Sequence, residues 1–345
     1  MSEKVAVIGG GSWGTALAAV LNNNGYEVVL RDISEDKVKE INDDHKNSYL
    51  PGIKLSEEIK ATTDIKEAVK GAKVVVVVVP SHIVRVVAKE LKGILEEDTI
   101  VVSASKGIEE NTHLRMSEIL QEELEGKLKH NITALSGPSH AEEVILNHPT
   151  TIVVAHKNRK LAEKVQDLFM NDYFRVYTNP DAIGVELGAA VKNIIAIAAG
   201  ISAGLDYGDN ALAALITRGI AEVKRLGVAM GAEPATFSGL TGLGDLIVTC
   251  ASEHSRNRRL GFKVGSGKKL DEALAEMKMV AEGVRTAKAV HTLASQLEIE
   301  MPIVDQVYRI LFEDKDPQQA VYDLMIRGPK HEIEYVVDCI EWKDA

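Results

Sequence analysis

Between Glu186 and Asp206 the only ionisable residue is Lys192, set with Asn193 in the otherwise apolar run AIGVELGAAVKNIIAIAAGISAGL (182–205). An ammonium is costly to bury alone, so this one is paired with a carboxylate, snorkels at a helix edge, or lines a wet cavity. Gly188, Ala189, Ala196 and Ala199 stand around it at helical spacings and leave room for a ligand to reach the amine. Buried lysines have few uses other than chemistry.

A second chemical feature opens the chain. Gly9-Gly10-Gly11-Ser12-Trp13-Gly14 fits G-x-G-x-x-G between a strand and a helix, and Asp32 follows 23 residues after Gly9. Gly9 would allow the tight turn, Gly11 the approach of a pyrophosphate, and Gly14 the packing of helix on strand. Asp32 would accept hydrogen bonds from ribose hydroxyls, which is dinucleotide-binding chemistry. Three turns fall just beyond strand ends: Pro80-Ser81, Lys106-Gly107, and Ser136-Gly137-Pro138-Ser139 with His140 after it. Singly each is ordinary loop; jointly they bring a cation and a hydroxyl-bearing turn to the rim of a sheet, where ligands bind. Asp245 reads locally as a helix N-cap, with holding a lysine or polarising a substrate hydroxyl as the alternative. The run Ser255-Arg256-Asn257-Arg258-Arg259 is either a solvated basic face or a helix start with the donors suited to a phosphate. No paired Cys/His spacing occurs, so no metal site is expected.

These residues need a scaffold, and the patterning describes one. Apolar strand-like runs at 4–8, 26–30, 74–79, 99–102, 132–135, 151–155 and 174–177 alternate with amphipathic segments such as 82–92, 112–125 and 158–170. That predicts a doubly wound parallel sheet, Rossmann-like, over 1–180. After Asn179-Pro180-Asp181 no β alternation remains. Segments near 210–230, 270–278, 284–298, 302–313, 316–326 and 332–342 read as helices, giving an all-α domain over 181–345. The 345 residues suffice for two domains, and a net charge of −11 argues against nucleic-acid or anionic-membrane binding. Adjacent Lys and Asn interrupt the longest apolar run, so no integral membrane segment is expected. Two cysteines, Cys250 and Cys339, offer no disulfide framework, and the N-terminus carries no signal-like apolar stretch; both suggest a cytoplasmic protein.

Taken together, GGGSWGTALA, SASKGIE, LSGPSHAEEV, AAVKNIIAIAAG, GLTGLGDLIVTC and HSRNRRLG resemble the bacterial-type glycerol-3-phosphate dehydrogenases, in unbroken order to about residue 330. The resemblance implies a Rossmann-like domain followed by a helical one. It also implies interconversion of glycerol 3-phosphate and dihydroxyacetone phosphate with NAD(P)(H), supplying glycerol 3-phosphate for phospholipid synthesis. Lys192 then matches the catalytic lysine, a general acid/base if burial and Lys106 lower its pKa, with Asp245 and Asn193 orienting it. Lys106, Gly137, Ser139, Lys192, Asp245, Ser255, Arg256 and Asn257 match substrate positions. Ser12, Trp13, Lys106, Arg256, Val280 and Glu282 match cofactor contacts. One departure stands out: where bacterial members usually carry a basic pair for the 2′-phosphate of NADP, this chain has Ile33-Ser34 after Asp32. NAD(H) is therefore expected to be favoured from Asp32, with NADP(H) the family's habit. A homodimer is compatible with the resemblance. Two other readings are another β-hydroxyacid-type dehydrogenase and a non-catalytic NAD(H)-sensing Rossmann protein. The adjacency of Lys192 and Asn193 and the 255–257 cluster speak against the first, and the lysine itself against the second.

Overall fold

The computed structural model describes residues 3–277, 281–329 and 331–332. Val280, Cys339 and all but the start of the helix expected over 332–342 lie outside them.

Among the described residues there are eight strands: β1 (Lys4–Ile8), β2 (Glu27–Arg31), β3 (Lys60–Thr62), β4 (Val74–Val77), β5 (Ile100–Ser103), β6 (Ile132–Ser136), β7 (Thr150–Ala155) and β8 (Phe174–Asn179). They form one sheet in the order β3-β2-β1-β4-β5-β6-β7-β8. The first six run parallel, with the chain changing direction of travel between β1 and β4, where a doubly wound sheet opens its ligand crevice. The sheet is mostly parallel, with one exception: β7 pairs antiparallel with β6, while β8 runs parallel to β7. Between β6 and β7 stands only the short helix Ala141–Val144, which turns the chain back instead of carrying it across a face of the sheet. β3 has no apolar run to announce it. Its backbone is held by the amide of Asn42, which donates to Ala61 O (2.9 Å) and accepts from Ala61 N (2.8 Å).

Helices α1 (Ser12–Asn23), α2 (Glu35–Asp44), α3 (Ile65–Val69), α4 (Val84–Leu91), α5 (Met116–Glu123), α6 (Ala141–Val144) and α7 (Arg159–Phe169) accompany the sheet. Alternation along β1 divides the core: Val5 and Val7 join Leu17, Leu21 and Phe169 on one face, while Ala6 and Ile8 join Val87, Leu91 and Ile119 on the other.

From Ala182 onward the described chain has no strand. It contains α8 (Ala182–Gly204), α9 (Asp209–Ala229), α10 (Asp245–Ala251), α11 (Arg256–Gly265), α12 (Leu270–Ala275), α13 (Glu282–Gln296), α14 (Pro302–Phe312) and α15 (Pro317–Met325). Asp181 starts α8 by accepting from Gly184 N (2.8 Å), and α9, α10, α11 and α13 pack around the helix. α8 is long and apolar enough to cross a membrane, but 89% of its most apolar window is buried inside the protein. Its tightest neighbour is α11. A Cβ added at Gly200 would stand 2.0 Å from Arg258 O, and one at Gly261 2.0 Å from Ile197 O, so the two backbones touch. α8 is tied to the sheet by Glu186, which accepts from Ser117 N (2.8 Å) and Oγ (2.6 Å) and pairs with buried Arg115.

Candidate active site

The glycine loop leaves β1 at its carboxyl end. Gly9 has φ +126°, and a Cβ there would meet Val78 O at 2.4 Å; one at Gly14 would meet Gly9 O at 1.9 Å, so α1 lies directly against the turn. A Cβ at Gly11 would meet nothing within 4 Å, which marks the open side of the loop. α1 begins at Ser12 with no side-chain cap, leaving its first N–H groups for an anion. The indole Nε1 of Trp13 is buried and has no protein partner. An open glycine, an uncapped helix start and an orphaned donor side by side fit a dinucleotide pyrophosphate. Asp32 accepts from Gly10 N (3.1 Å) and Ser34 N (2.9 Å), one bond per carboxylate oxygen, so each keeps a lone pair for a ribose hydroxyl. Asn47, which no sequence signal singles out, pins the loop by donating to Gly10 O (2.9 Å) and Thr15 Oγ1 (2.7 Å).

Across the crevice, α8 presents Lys192 with only 6% of its surface exposed. The turn 240–244 leads into α10, whose first residue, Asp245, is 1% exposed. Its carboxylate does not cap the helix, contrary to the local reading. Oδ1 pairs with Lys192, and Oδ2 accepts from Lys106 Nζ (2.9 Å), which also donates to Gly137 O (3.1 Å). Thr249, one turn further along α10, accepts from Lys192 Nζ (2.8 Å) and donates to Asp245 O (2.5 Å). Thr249, inconspicuous in the sequence, is thus a side-chain partner of the Lys192 amine. Asn193 turns aside to accept from Asn257 Nδ2 (2.9 Å), whose Oδ1 accepts from Gly283 N (2.9 Å). Burial pushes the Lys192 ammonium down to about 7, with Lys106 adding to the fall and Asp245 opposing it. Burial alone would raise Asp245, but Lys106 and Lys192 outweigh it and hold the carboxyl below its usual range.

The remaining residues line the same opening. Gly137 has φ +151° and packs its Cα against Ile152, and Ser139 Oγ donates to Gly137 O (3.0 Å). Ser255 caps α11 by accepting from Arg258 N (3.2 Å), and Arg256 stands in its first turn with its pKa lowered by burial. Glu282, at the start of α13, accepts from Ser81 Oγ (2.5 Å) at the end of β4 and so closes the sheet rim against the helices. Lys106, Gly137, Ser139, Lys192 and Asp245 are drawn into one connected group. Ser255 and Asn257 use their side chains on protein partners, and Arg256 stands between them in the first turn of α11. Val280 lies outside the described residues.

The family model described as NAD-dependent glycerol-3-phosphate dehydrogenase N-terminus matches residues 4–162, and its C-terminal counterpart matches 181–322. The chain belongs to that dehydrogenase family. A glycerol-3-phosphate dehydrogenase [NAD(P)+] of Listeria innocua is 56% identical over 333 residues, 96% of this chain and 98% of that one. The Bacillus subtilis enzyme of the same name is 53% identical over 340 residues, 98% and 99% of the two chains. The crystal structure of glycerol-3-phosphate dehydrogenase from Coxiella burnetii superposes with a TM-score of 0.90 at 41% identity, covering 94% of this chain and 99% of that chain. In this dehydrogenase the glycine loop leaves the carboxyl end of β1, and the buried lysine is joined through Asp245 and Lys106 to the turns that follow β5 and β6. What the sequence hid is the set of contacts that join them: Thr249 on Lys192, Asn47 on the loop, and Ser81 on Glu282. A threonine four residues after an aspartate on a helix was the one available signal, since both then share a face.

Proposed function

We propose that this protein interconverts sn-glycerol 3-phosphate and dihydroxyacetone phosphate with a nicotinamide dinucleotide, the route to glycerol 3-phosphate for phospholipid synthesis. The observation that carries the reading is a buried carboxylate, Asp245, gripping two lysines where α8 meets the crevice of the sheet. Gly9, Gly11, Gly14 and the start of α1 hold the pyrophosphate, Ser12 and Trp13 contact it, and Asp32 takes the ribose hydroxyls. Bound there, the cofactor supplies or accepts the hydride at C2 of the substrate. Lys192 gives the proton to the C2 oxygen in reduction and removes it in oxidation. An amine poised near neutrality does both. Lys106, held by Asp245 and Gly137 O, adds positive charge beside that oxygen. Arg256 anchors the phosphate with Ser255 and Asn257 at the start of α11, and Gly137 and Ser139 line the opposite wall. Glu282 shapes the nicotinamide end of the crevice, where Lys106 and Arg256 also border the cofactor, and the family resemblance adds Val280, outside the described residues, as a cofactor contact. Binding energy from the non-reacting phosphate positions the reacting carbon.

NAD(H) serves at least as well as NADP(H). Asp32 repels a 2′-phosphate, and the nearby cations are engaged elsewhere. Arg31 donates to Thr63 O (3.4 Å) and pairs with Glu90 (3.3 Å), while Lys37 pairs with Glu40 (2.7 Å) and lies over the Tyr49 ring. Ile33 is 80% exposed and offers no charge. The test is kcat/KM for dihydroxyacetone phosphate reduction with each reduced cofactor under identical conditions. Turnover with NADH at or above that with NADPH is expected. No turnover with either refutes the activity, and a tenfold preference for NADPH, about 1.4 kcal/mol, refutes the role of Asp32.

A further inference from the structure

One polar group in the crevice has no part in the scheme above. His140 follows Ser139 at the head of α6, where its backbone carbonyl accepts from Glu143 N (3.1 Å) and Val144 N (3.0 Å), so its position on the rim is fixed. The side chain is half-buried, and its Nε2 is fully buried with no hydrogen-bond partner. Its ring lies 5.7 Å from that of His254, tilted by 53°, and His254 immediately precedes the Ser255 cap of α11. On the other side the turn bearing His140 meets the turn before Asp245, with Pro138 3.8 Å from where a Cβ on Gly244 would stand. The imidazole therefore sits between the lysine pair and the helix start that carries Arg256.

We propose that His140 is a substrate-binding residue whose Nε2–H donates to the phosphate of the three-carbon substrate. This rests on the glycerol 3-phosphate reading above and adds to it a donor from the sheet side of the crevice, opposite Arg256. A buried nitrogen without a partner is destabilising unless a ligand satisfies it, and the substrate is the group that enters here. The charged groups around the ring are Lys192, Glu142, Glu143 and His254. Burial first, then the Lys192 charge, lowers its pKa, while the two glutamates oppose them. Glu142 acts on both His140 and Arg256, so the imidazole and the guanidinium lie within reach of one carboxylate. A neutral imidazole with Nε2 protonated is a donor to an oxyanion, and a bound dianion strengthens that preference.

The experiment compares wild type, His140→Phe and His140→Gln, with kinetics toward dihydroxyacetone phosphate, unphosphorylated dihydroxyacetone and NADH. Phe keeps the ring volume without a donor, and Gln returns an N–H near the Nε2 position. His140→Phe is expected to raise KM for dihydroxyacetone phosphate about tenfold, the scale of one charge-assisted hydrogen bond. KM for NADH and kcat/KM for dihydroxyacetone should stay unchanged, and His140→Gln should recover most of the loss. A purely structural role would depress all three substrates together and overturn the proposal. If Phe disturbs packing, seen as an early melt, His140→Asn repeats the test, because its amide ends short of the Nε2 position. An unchanged KM for dihydroxyacetone phosphate in a folded variant, with the wild type active, overturns the role of His140 alone. A wild type inert toward dihydroxyacetone phosphate overturns both this and the activity.

Discussion

Replacing Asp245 with Asn separates the charge of this residue from its shape. The side chain is almost wholly buried, pairs with Lys192 and accepts from Lys106 Nζ at 2.9 Å. It is the group that opposes the downward pull of burial on Lys192, whose pKa is about 7. An opposite charge at such range moves a pKa by about 1–3 units, so losing it drops the Lys192 value by about that much. Reduction requires the protonated amine, which is present below the pKa and lost as pH rises through it. In wild type the reduction rate should therefore fall across neutrality, and in Asp245→Asn the fall should come at lower pH. At neutral pH a drop of one to three units removes reduction by about fivefold to several hundredfold. Oxidation, which needs the neutral amine, should reach its plateau earlier on the pH axis. Removing one partner of a buried pair costs about 3–5 kcal/mol, and the amide oxygen retained by Asn keeps the loss toward the lower end. The assay is kcat against pH in both directions, with a melting curve to establish folding. A folded variant whose pH limb stays at the wild-type position would sink the assignment of Asp245 as the group that sets Lys192.

Three further outcomes follow from the same geometry. Lys192→Ala should leave NADH affinity near wild type and lower kcat by about 10²–10⁴-fold, the range for a positioned acid/base; near-normal turnover would remove Lys192 from the mechanism. Arg256→Ala should raise KM for dihydroxyacetone phosphate at a cost of about 1.5–3 kcal/mol and narrow its advantage over dihydroxyacetone; an unchanged ratio would put the phosphate elsewhere. Glu222, buried where it accepts from Ile303 N (2.7 Å) and Val304 N (3.2 Å), has its pKa raised by burial from 4.5 to about 7. Between those values the folded chain holds a proton the unfolded chain has lost, so stability falls as pH rises through that window. Glu222→Gln should flatten this component of the melting temperature against pH, and equal slopes in both proteins would refute it.

The parts of the site that the sequence displayed are those whose chemistry is local. The glycine spacing implies a turn, and a lone lysine in an apolar helix implies burial, because each follows from a few neighbouring residues. The hidden parts depend on partners far along the chain. Asp245 looks like a helix cap until folding brings Lys106 and Lys192 to it, 139 and 53 residues away. Glu282 looks like an ordinary first-turn acid until Ser81 arrives from 201 residues upstream. The reversal at β7 was invisible because apolar strands read alike in either direction, and β3 because its three residues, Lys60–Thr62, carry no apolar run.

The contact of α8 with α11 fixes more than packing. Lys192 rides on the first helix and Arg256 on the second, and where the helices cross at Gly200 and Gly261 their main chains touch with no side chain between them. Side-chain spacers can swell, shrink or swing; two abutting backbones cannot. On the roles proposed above, the backbones that carry proton donor and anion anchor are held like the jaws of a caliper. Only the two side chains are then left to adjust to a substrate of another length.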